Sequence, residues 1–204
     1  MISVFVRTLN EEANLRRCLS ALAWSQDVVV IDSGSTDRTV EIAKEMGARI
    51  VLRRLEHEAD QLNWISANVD FRFPWIYYSD ADEVVTPELR DELLRVTSDT
   101  QRPEVAYRVR FKTMFMGKWI RHSSLYPTWC LRLFQPGRVR WDRETNTVCC
   151  ADGPEGRLHE HFLHYTFSKG LHAWFEKHNK YSSSEAREAA RRAGTSTSHS
   201  PIWP

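Results

Sequence analysis

The chain has 204 residues, 42% hydrophobic and 27% charged, with 28 Lys and Arg against 27 Asp and Glu for a formal net charge of +1. This composition excludes a disordered or collagen-like chain and argues against a general nucleic-acid binder, and the length suits one domain. No apolar run approaches the ~18–20 residues that cross a bilayer, and residues 1–6 lack the basic flank of a secretory signal. A cytoplasmic protein with reduced thiols at Cys18, Cys130, Cys149 and Cys150 is therefore expected.

In chain order, residues 2–6 read as a strand and 11–22 as a helix with Leu15, Cys18, Leu19 and Leu22 at helical spacing. Val28 to Ile31 is a continuous apolar run, the mark of a strand buried on both faces. Ser35 or Thr36 is positioned to cap the next helix, which Gly47 ends. A strand at 49–52, a helix at 60–69, a strand at 75–78 and a helix at 87–96 follow, the last with Thr86 as cap and Pro87 in its first turn. Past Pro103, residues 105–111 and 130–134 read as strands, and 115–129 shows no clear period. A helix from about 171 to 192 precedes a Ser/Thr/Pro-rich tail that is expected to fray.

Strands separated by helices predict an α/β fold, a mostly parallel twisted sheet with helices on both faces and ligands outside the carboxyl ends of the strands. Two polar clusters fall at such ends, residues 32–37 and residues 80–83. Asp80 and Asp82 can turn oxygens toward a hard cation, Mg²⁺ or Mn²⁺, that carries a diphosphate. The competing reading is a loop whose carboxylate favours the helix at Pro87. Asp32 can accept a hydrogen bond from a base N–H, whereas a turn and N-cap account for Ser35, Thr36 and Asp37. His159, His161 and His164 fail the zincin spacing, because Leu163 stands where the second histidine would be. Cys149 and Cys150 likewise lack metal-ligand spacing.

The neutral total conceals a pattern: residues 1–100 carry 18 acids and 11 bases, and residues 101–143 carry two acids and ten bases. Arg108, Arg110, Lys112, Lys118, Arg121, Arg132, Arg138 and Arg140 suit phosphates on an acceptor or an anionic membrane surface. The last helix, with Trp174 and Phe175 beside Lys177 and Lys180, reads either as interfacial or as docked on the core. Trp119, Trp129 and Trp174 read as core packing or as stacking platforms for sugars.

Thr8-Leu9-Asn10-Glu11-Glu12, residues 30–39, Gln61-Leu62-Asn63 and Asp80-Ala81-Asp82-Glu83 stand in the order of the motifs of family 2 glycosyltransferases. With Arg132-Leu133-Phe134, His164-Tyr165 and residues 177–181, the chain resembles the branch that includes lipopolysaccharide core glucosyltransferases, over about residues 1–190. The resemblance implies a nucleotide-diphospho-sugar transferase fold of GT-A type. Residues 1–100 would form its nucleotide-sugar-binding half, 101–192 an acceptor-side extension with the C-terminal helix, and 193–204 a disordered tail. It also implies a nucleotide-sugar donor near Thr8, Glu11, Asp32 and Gln61, with Asp80 near the ribose or donor sugar and Asp82 and His164 on the Mg²⁺ or Mn²⁺ ion.

The implied reaction is an inverting transfer to a glycan or lipid-linked acceptor at the cytoplasmic face of a bacterial membrane, with peripheral membrane contact and no nucleic-acid partner. Relatives often carry a His-Glu pair after the basic strand, and residues 141–147 have none. Glu144 is the first candidate for the base and Asp142 the second; the competing reading is a salt bridge to neighbouring arginines. A nucleotidyltransferase would show a glycine-rich basic loop after the first strand, where this chain is acidic and lacks glycine. A catalytically silent sugar-binding domain is the other alternative.

Overall fold

The computed structural model describes residues 1–54, 57–122, 126–143 and 147–195, with side chains through Arg191. Its first part follows the expected rhythm: β1 (Ile2–Thr8), α1 (Leu15–Ala21), β2 (Val28–Asp32), α2 (Thr39–Glu45), β3 (Arg49–Leu52), α3 (Glu58–Asn68) and β4 (Trp75–Asp80). Then come β5 (Glu83–Val85), α4 (Pro87–Ser98), β6 (Ala106–Phe115), β7 (Lys118–Trp119), β8 (Trp129–Phe134), β9 (Val139–Asp142), β10 (Val148–Ala151), β11 (Glu155–His164) and α5 (Gly170–Thr195). The main sheet runs β3-β2-β1-β4-β8-β6-β11-β5, with β7 pairing off β6, and β9 and β10 form a separate ribbon.

From β3 to β4 every pairing is parallel. Beyond β4 the sheet becomes mixed: β8 is antiparallel to both β4 and β6, β11 is parallel to β6, and β5 is antiparallel to β11. Side-chain alternation sends Val4, Val6 and Val30 into one core and Phe5, Val29 and Ile31 into the other. The first core is closed by α1, α2 and α4 through Leu15, Cys18, Leu19, Ile42, Leu89 and Leu93. The second is closed by α3 through Ala59, Leu62 and Ile65. Helices thus cover both faces, as the strand–helix alternation predicted. Leu62 and Ile65 are at most 1% exposed, and burial of each contributes about 1.5–3 kcal/mol, which seals α3 against β2.

The local signals hold where no tertiary partner competes. Gly47 ends α2 in the left-handed region at φ 74°, and the Thr86 hydroxyl accepts the Leu89 N–H at 3.2 Å to cap α4 behind Pro87. Two expectations fail. α1 begins at Leu15, not residue 11, and α2 begins at Thr39 without a side-chain cap from Ser35 or Thr36. Those two residues bind the loop after β1 instead, Ser35 accepting from the Asn10 N–H and Thr36 donating its N–H to the Asn10 side-chain carbonyl. The last helix extends three residues past the expected end, and residues 196–204 of the expected tail lie outside the described residues. Among the described residues, no helix is long and apolar enough to cross a membrane.

Candidate functional site

Because β3, β2, β1 and β4 run parallel, their carboxyl ends meet at one edge, and the register sets Asp32 between Thr8 and Leu52 and Asp80 beside Arg7. The loops after β1 and β2 are laced together. The Glu11 N–H donates to the Thr39 hydroxyl at 2.7 Å and the Glu12 N–H to the Asp37 carboxylate at 3.1 Å. Asp32 organises this lacing. It accepts from the Thr8 hydroxyl at 2.9 Å, the Ser35 hydroxyl at 2.5 Å, and the N–H groups of Gly34 and Ser35 at 3.0 and 2.9 Å. Gly34 turns there at φ 96°, a conformation open to glycine.

In front of this edge lies a cavity of about 740 Å³ lined by Arg7, Thr8, Asp32, Ser33, Gly34, Arg53, Arg54, Gln61 and Asp80, with Leu9 and Leu52 at its apolar side. The structure therefore brings Thr8, Asp32, Gln61 and Asp80 to one cavity. Gln61 donates to the Ser33 hydroxyl at 3.3 Å while its buried carbonyl oxygen has no partner among the described residues. Arg7 and both lining carboxylates are paired internally, so Arg53 and Arg54 are the charges that suit the cavity to an anionic ligand. The Arg53 guanidinium lies 4.5 Å from the centre of the Trp64 ring.

Asp80 is held from both sides, by Arg7 at 2.9 Å and Arg132 at 3.0 Å, and accepts the Tyr78 hydroxyl at 2.9 Å. Burial alone would raise its pKa, but Arg7 and Arg132 hold the carboxyl well below the usual range. Arg132 also pairs with Glu83, which is 1% exposed and accepts the Asp80 N–H at 3.2 Å, closing the loop. Here burial prevails over Arg132, with Asp80 adding repulsion, and pushes the Glu83 carboxyl up to about 7. Arg132, expected among cations facing an acceptor or membrane, is thus buried and spent on this acidic loop.

Asp82 faces His164, Oδ2 to Nε2 at 3.4 Å. The cause is a pairing distant in sequence: β5 runs antiparallel to β11 with Glu83 opposite His164, and the Tyr165 N–H bonds the Asp82 carbonyl at 2.8 Å. Against burial, the His164 hydrogen bond holds Asp82 below the ordinary carboxylate value, and Asp82 in turn holds the imidazole above its own. Among the described residues no three His, Cys, Asp or Glu side chains converge as a full metal cage. One carboxylate oxygen and one imidazole nitrogen fit a Mg²⁺ or Mn²⁺ ion that takes its other ligands from diphosphate and water. Glu11 lies beyond, clamped by Lys169 at 2.5 Å and Asn14 at 2.8 Å. Lys177, exposed on α5, is held above the ordinary lysine value, against partial desolvation by its neighbours, by Tyr181, Asp82, Asp80 and Glu11.

Of the expected base candidates, the described one, Asp142, is not brought into the cavity. Asp142 is exposed, accepts the Arg143 N–H at 2.9 Å, and lines a separate hollow of about 550 Å³ with His57, Asp60, Asn63, Arg140 and Arg143. Glu144 lies outside the described residues. Sequence reasoning missed Arg7, Glu83 and the inward role of Arg132. The signal was present, since Arg7 and Arg132 are each the lone charge in a largely apolar strand.

Residues 3–154 match the model of the family described as Glycosyl transferase family 2. The chain is 27% identical over 195 residues to the lipopolysaccharide core biosynthesis glycosyltransferase LpsC of Rhizobium meliloti (strain 1021), covering 91% of this chain and 70% of that protein. It is 30% identical over 135 residues to an uncharacterized glycosyltransferase of Rickettsia typhi, covering 65% of this chain and 46% of the relative, less than half its length. Among solved structures, S. aureus TarS 1–349 superposes with a TM-score of 0.57 at 15% identity, over 81% of this chain and 60% of TarS. The same protein in complex with UDP-GlcNAc gives 0.52 at 16% identity, over 78% and 59%.

Proposed function

The chain belongs to glycosyl transferase family 2 and has a GT-A type fold, and on that premise we propose that it moves a sugar from a nucleotide-sugar donor to a glycan or lipid-linked acceptor in bacterial lipopolysaccharide or cell-surface polysaccharide synthesis. The observation that carries this reading is the Asp80–Glu83 loop, bound by Arg7, Arg132 and His164 beside a cationic cavity at the carboxyl ends of four parallel strands. Likeness to LpsC supports the lipopolysaccharide assignment, and the UDP-GlcNAc complex of TarS supports a nucleotide-sugar donor.

In this reading Thr8, Asp32 and Gln61 face the nucleoside, Gln61 offering the oxygen that has no partner among the described residues. Arg53 and Arg54 lend positive charge to the cavity that takes the diphosphate, and Arg7 holds Asp80 at its edge. Asp80, kept ionised by its arginines, faces the ribose or donor sugar, and Glu11 sits on the outer side of the same loops. Asp82 and His164 would hold Mg²⁺ or Mn²⁺, which stabilises the charge that develops on the departing diphosphate. Glu144 takes the proton of the acceptor hydroxyl as that oxygen attacks the anomeric carbon opposite the diphosphate, which inverts the centre; Asp142, which lines the separate hollow, stays the second candidate.

Binding of a panel of nucleotide-sugars with and without Mn²⁺, followed by transfer and hydrolysis assays, tests this. Asp82→Asn is expected to lose metal-dependent donor binding and at least ~10²-fold in turnover. Full turnover in that variant would overturn the reading, and metal-dependent binding without any turnover in the wild type would favour a silent sugar-nucleotide domain. Glu144→Gln and Asp142→Asn identify the base, as the true one lowers transfer with donor binding unchanged.

A further inference from the structure

The β6–β7 hairpin has an apex that the fold does not require. Met114 pairs with Trp119 and Phe115 with Lys118, leaving Met116 and Gly117 as the two loop residues. Both have positive φ, 48° and 76°, the signature of a type I′ turn. Such a turn favours Asn or Asp at its first position, because a short polar side chain tolerates the left-handed region and a long unbranched one gains nothing there. Met116 occupies it, and at 87% exposed it is the most exposed large apolar side chain among the described residues. An apolar side chain held at a strained, unburied apex is removed from water only if an apolar phase from outside receives it.

The surroundings identify that phase. From residue 105 to residue 141 the chain has eight Lys and Arg and no Asp or Glu. Lys112 and Arg121 lie 4.6 and 4.8 Å from the centre of the Trp119 ring, and Lys118 is exposed beside the turn. The hairpin bounds an open hollow of about 890 Å³ lined by Phe115, Trp119 and Ile120. An apolar tip, then an aromatic ring, then cations is the sequence of environments that an anionic bilayer presents from acyl chain to phosphate. The apolar surface also continues into α5: Phe115, Phe167, Trp174 and Phe175 form a chain of ring contacts at 5.0, 5.4 and 5.1 Å. It ends on Phe175 and Leu171, which are 63% and 49% exposed.

We propose that the β6–β7 hairpin is a membrane-docking element, seating Met116 in the acyl boundary of an anionic phospholipid bilayer with Lys112, Lys118 and Arg121 at its phosphates. The contact is peripheral and reversible, since one apolar wedge and a few cations anchor weakly. It stands apart from the sugar-transfer reading, because none of these residues lines the donor cavity.

Co-sedimentation of the full chain with phosphatidylcholine vesicles, with and without a third of phosphatidylglycerol, tests it. Binding is expected to the anionic vesicles only and to weaken with salt. Met116→Asn suits the turn, so it keeps or raises the melting temperature while lowering vesicle affinity about tenfold. Met116→Leu keeps the affinity. Failure of the wild type to bind anionic vesicles, or equal binding by Met116→Asn, would overturn the proposal. So would lipid-free self-association that Met116→Asn abolishes, which would assign the apex to a second copy. Nucleotide-sugar binding measured on the same samples is expected to be unchanged, which separates this result from the fate of the donor site.

Discussion

In one half of the sheet, β3, β2, β1 and β4 run parallel, and successive strands are joined through a helix packed on the same sheet. In the other half, β8, β6, β11 and β5 take partners far away in sequence, with Phe162 on β11 opposite Val85 on β5. The first half comes from the acidic part of the chain and much of the second from the basic part. The candidate site lies on their seam: Asp80 and Asp82 come from the acidic side, and Arg132 and His164 reach them from the strands of the other. Opposite charge along the chain is therefore used in part internally, joining the halves at the point where the donor would bind.

The seam is most directly broken at Arg132. Arg132→Ala leaves Asp80 and Glu83 without their shared cation, and denaturant unfolding is expected to show a loss of about 3–5 kcal/mol with donor turnover lost as well. Asp27, in the parallel half, separates stability from function. Its carboxylate is fully buried and takes the Ser3 hydroxyl at 2.6 Å, the Arg72 N–H at 2.8 Å and Arg49 at 2.9 Å. Asp27→Asn is expected to cost about 2–3 kcal/mol while donor binding persists.

The pH dependence at Asp27 has a definite sign. Burial opposes ionisation, but the Arg72 and Ser3 hydrogen bonds and Arg49 hold the carboxyl below its ordinary value. The stability it contributes is present above the unfolded-state value near ~3.9 and is lost as pH falls through the lower folded one. Acid titration of the wild type should show that loss, and Asp27→Asn should flatten it.

Glu92 plays the matching part in the mixed half, accepting the N–H groups of His159 and Glu160 at 3.0 and 2.8 Å where β11 shifts register against β6. Glu92→Gln is expected to cost about 1–2 kcal/mol, with faster hydrogen exchange at those two amides. The smallest effect is at Thr86, which caps α4 and donates its hydroxyl to the His161 carbonyl at 3.1 Å. Thr86→Ala should lower stability by about 1 kcal/mol in thermal melts.

The same division explains what was legible. Val28 to Ile31, Gly47, Thr86 and Pro87 report on neighbours a few residues away, and the elements they mark formed as read. β11 was invisible because its residues are largely His, Glu and Arg, with only Leu158 and Phe162 buried and a register shift between Arg157 and His161. β5 is three residues long and hidden between the acidic cluster and α4. Ser35 and Thr36 were read as helix caps on local grounds, and Asn10 from another loop took their hydrogen bonds.

The amino-acid order by itself determined the alternating first half, the two polar clusters at strand ends and the likeness to family 2 glycosyltransferases, since periodicity, capping and motif order are local properties. Only the tertiary structure decided that Asp82 faces His164, that Arg132 turns inward between Asp80 and Glu83, and that Asp32 fills its oxygens within its own loops. The physical reason is that these contacts follow from strand pairings across the whole chain. Their register is set by which faces are buried together, a quantity that no window of neighbouring residues contains.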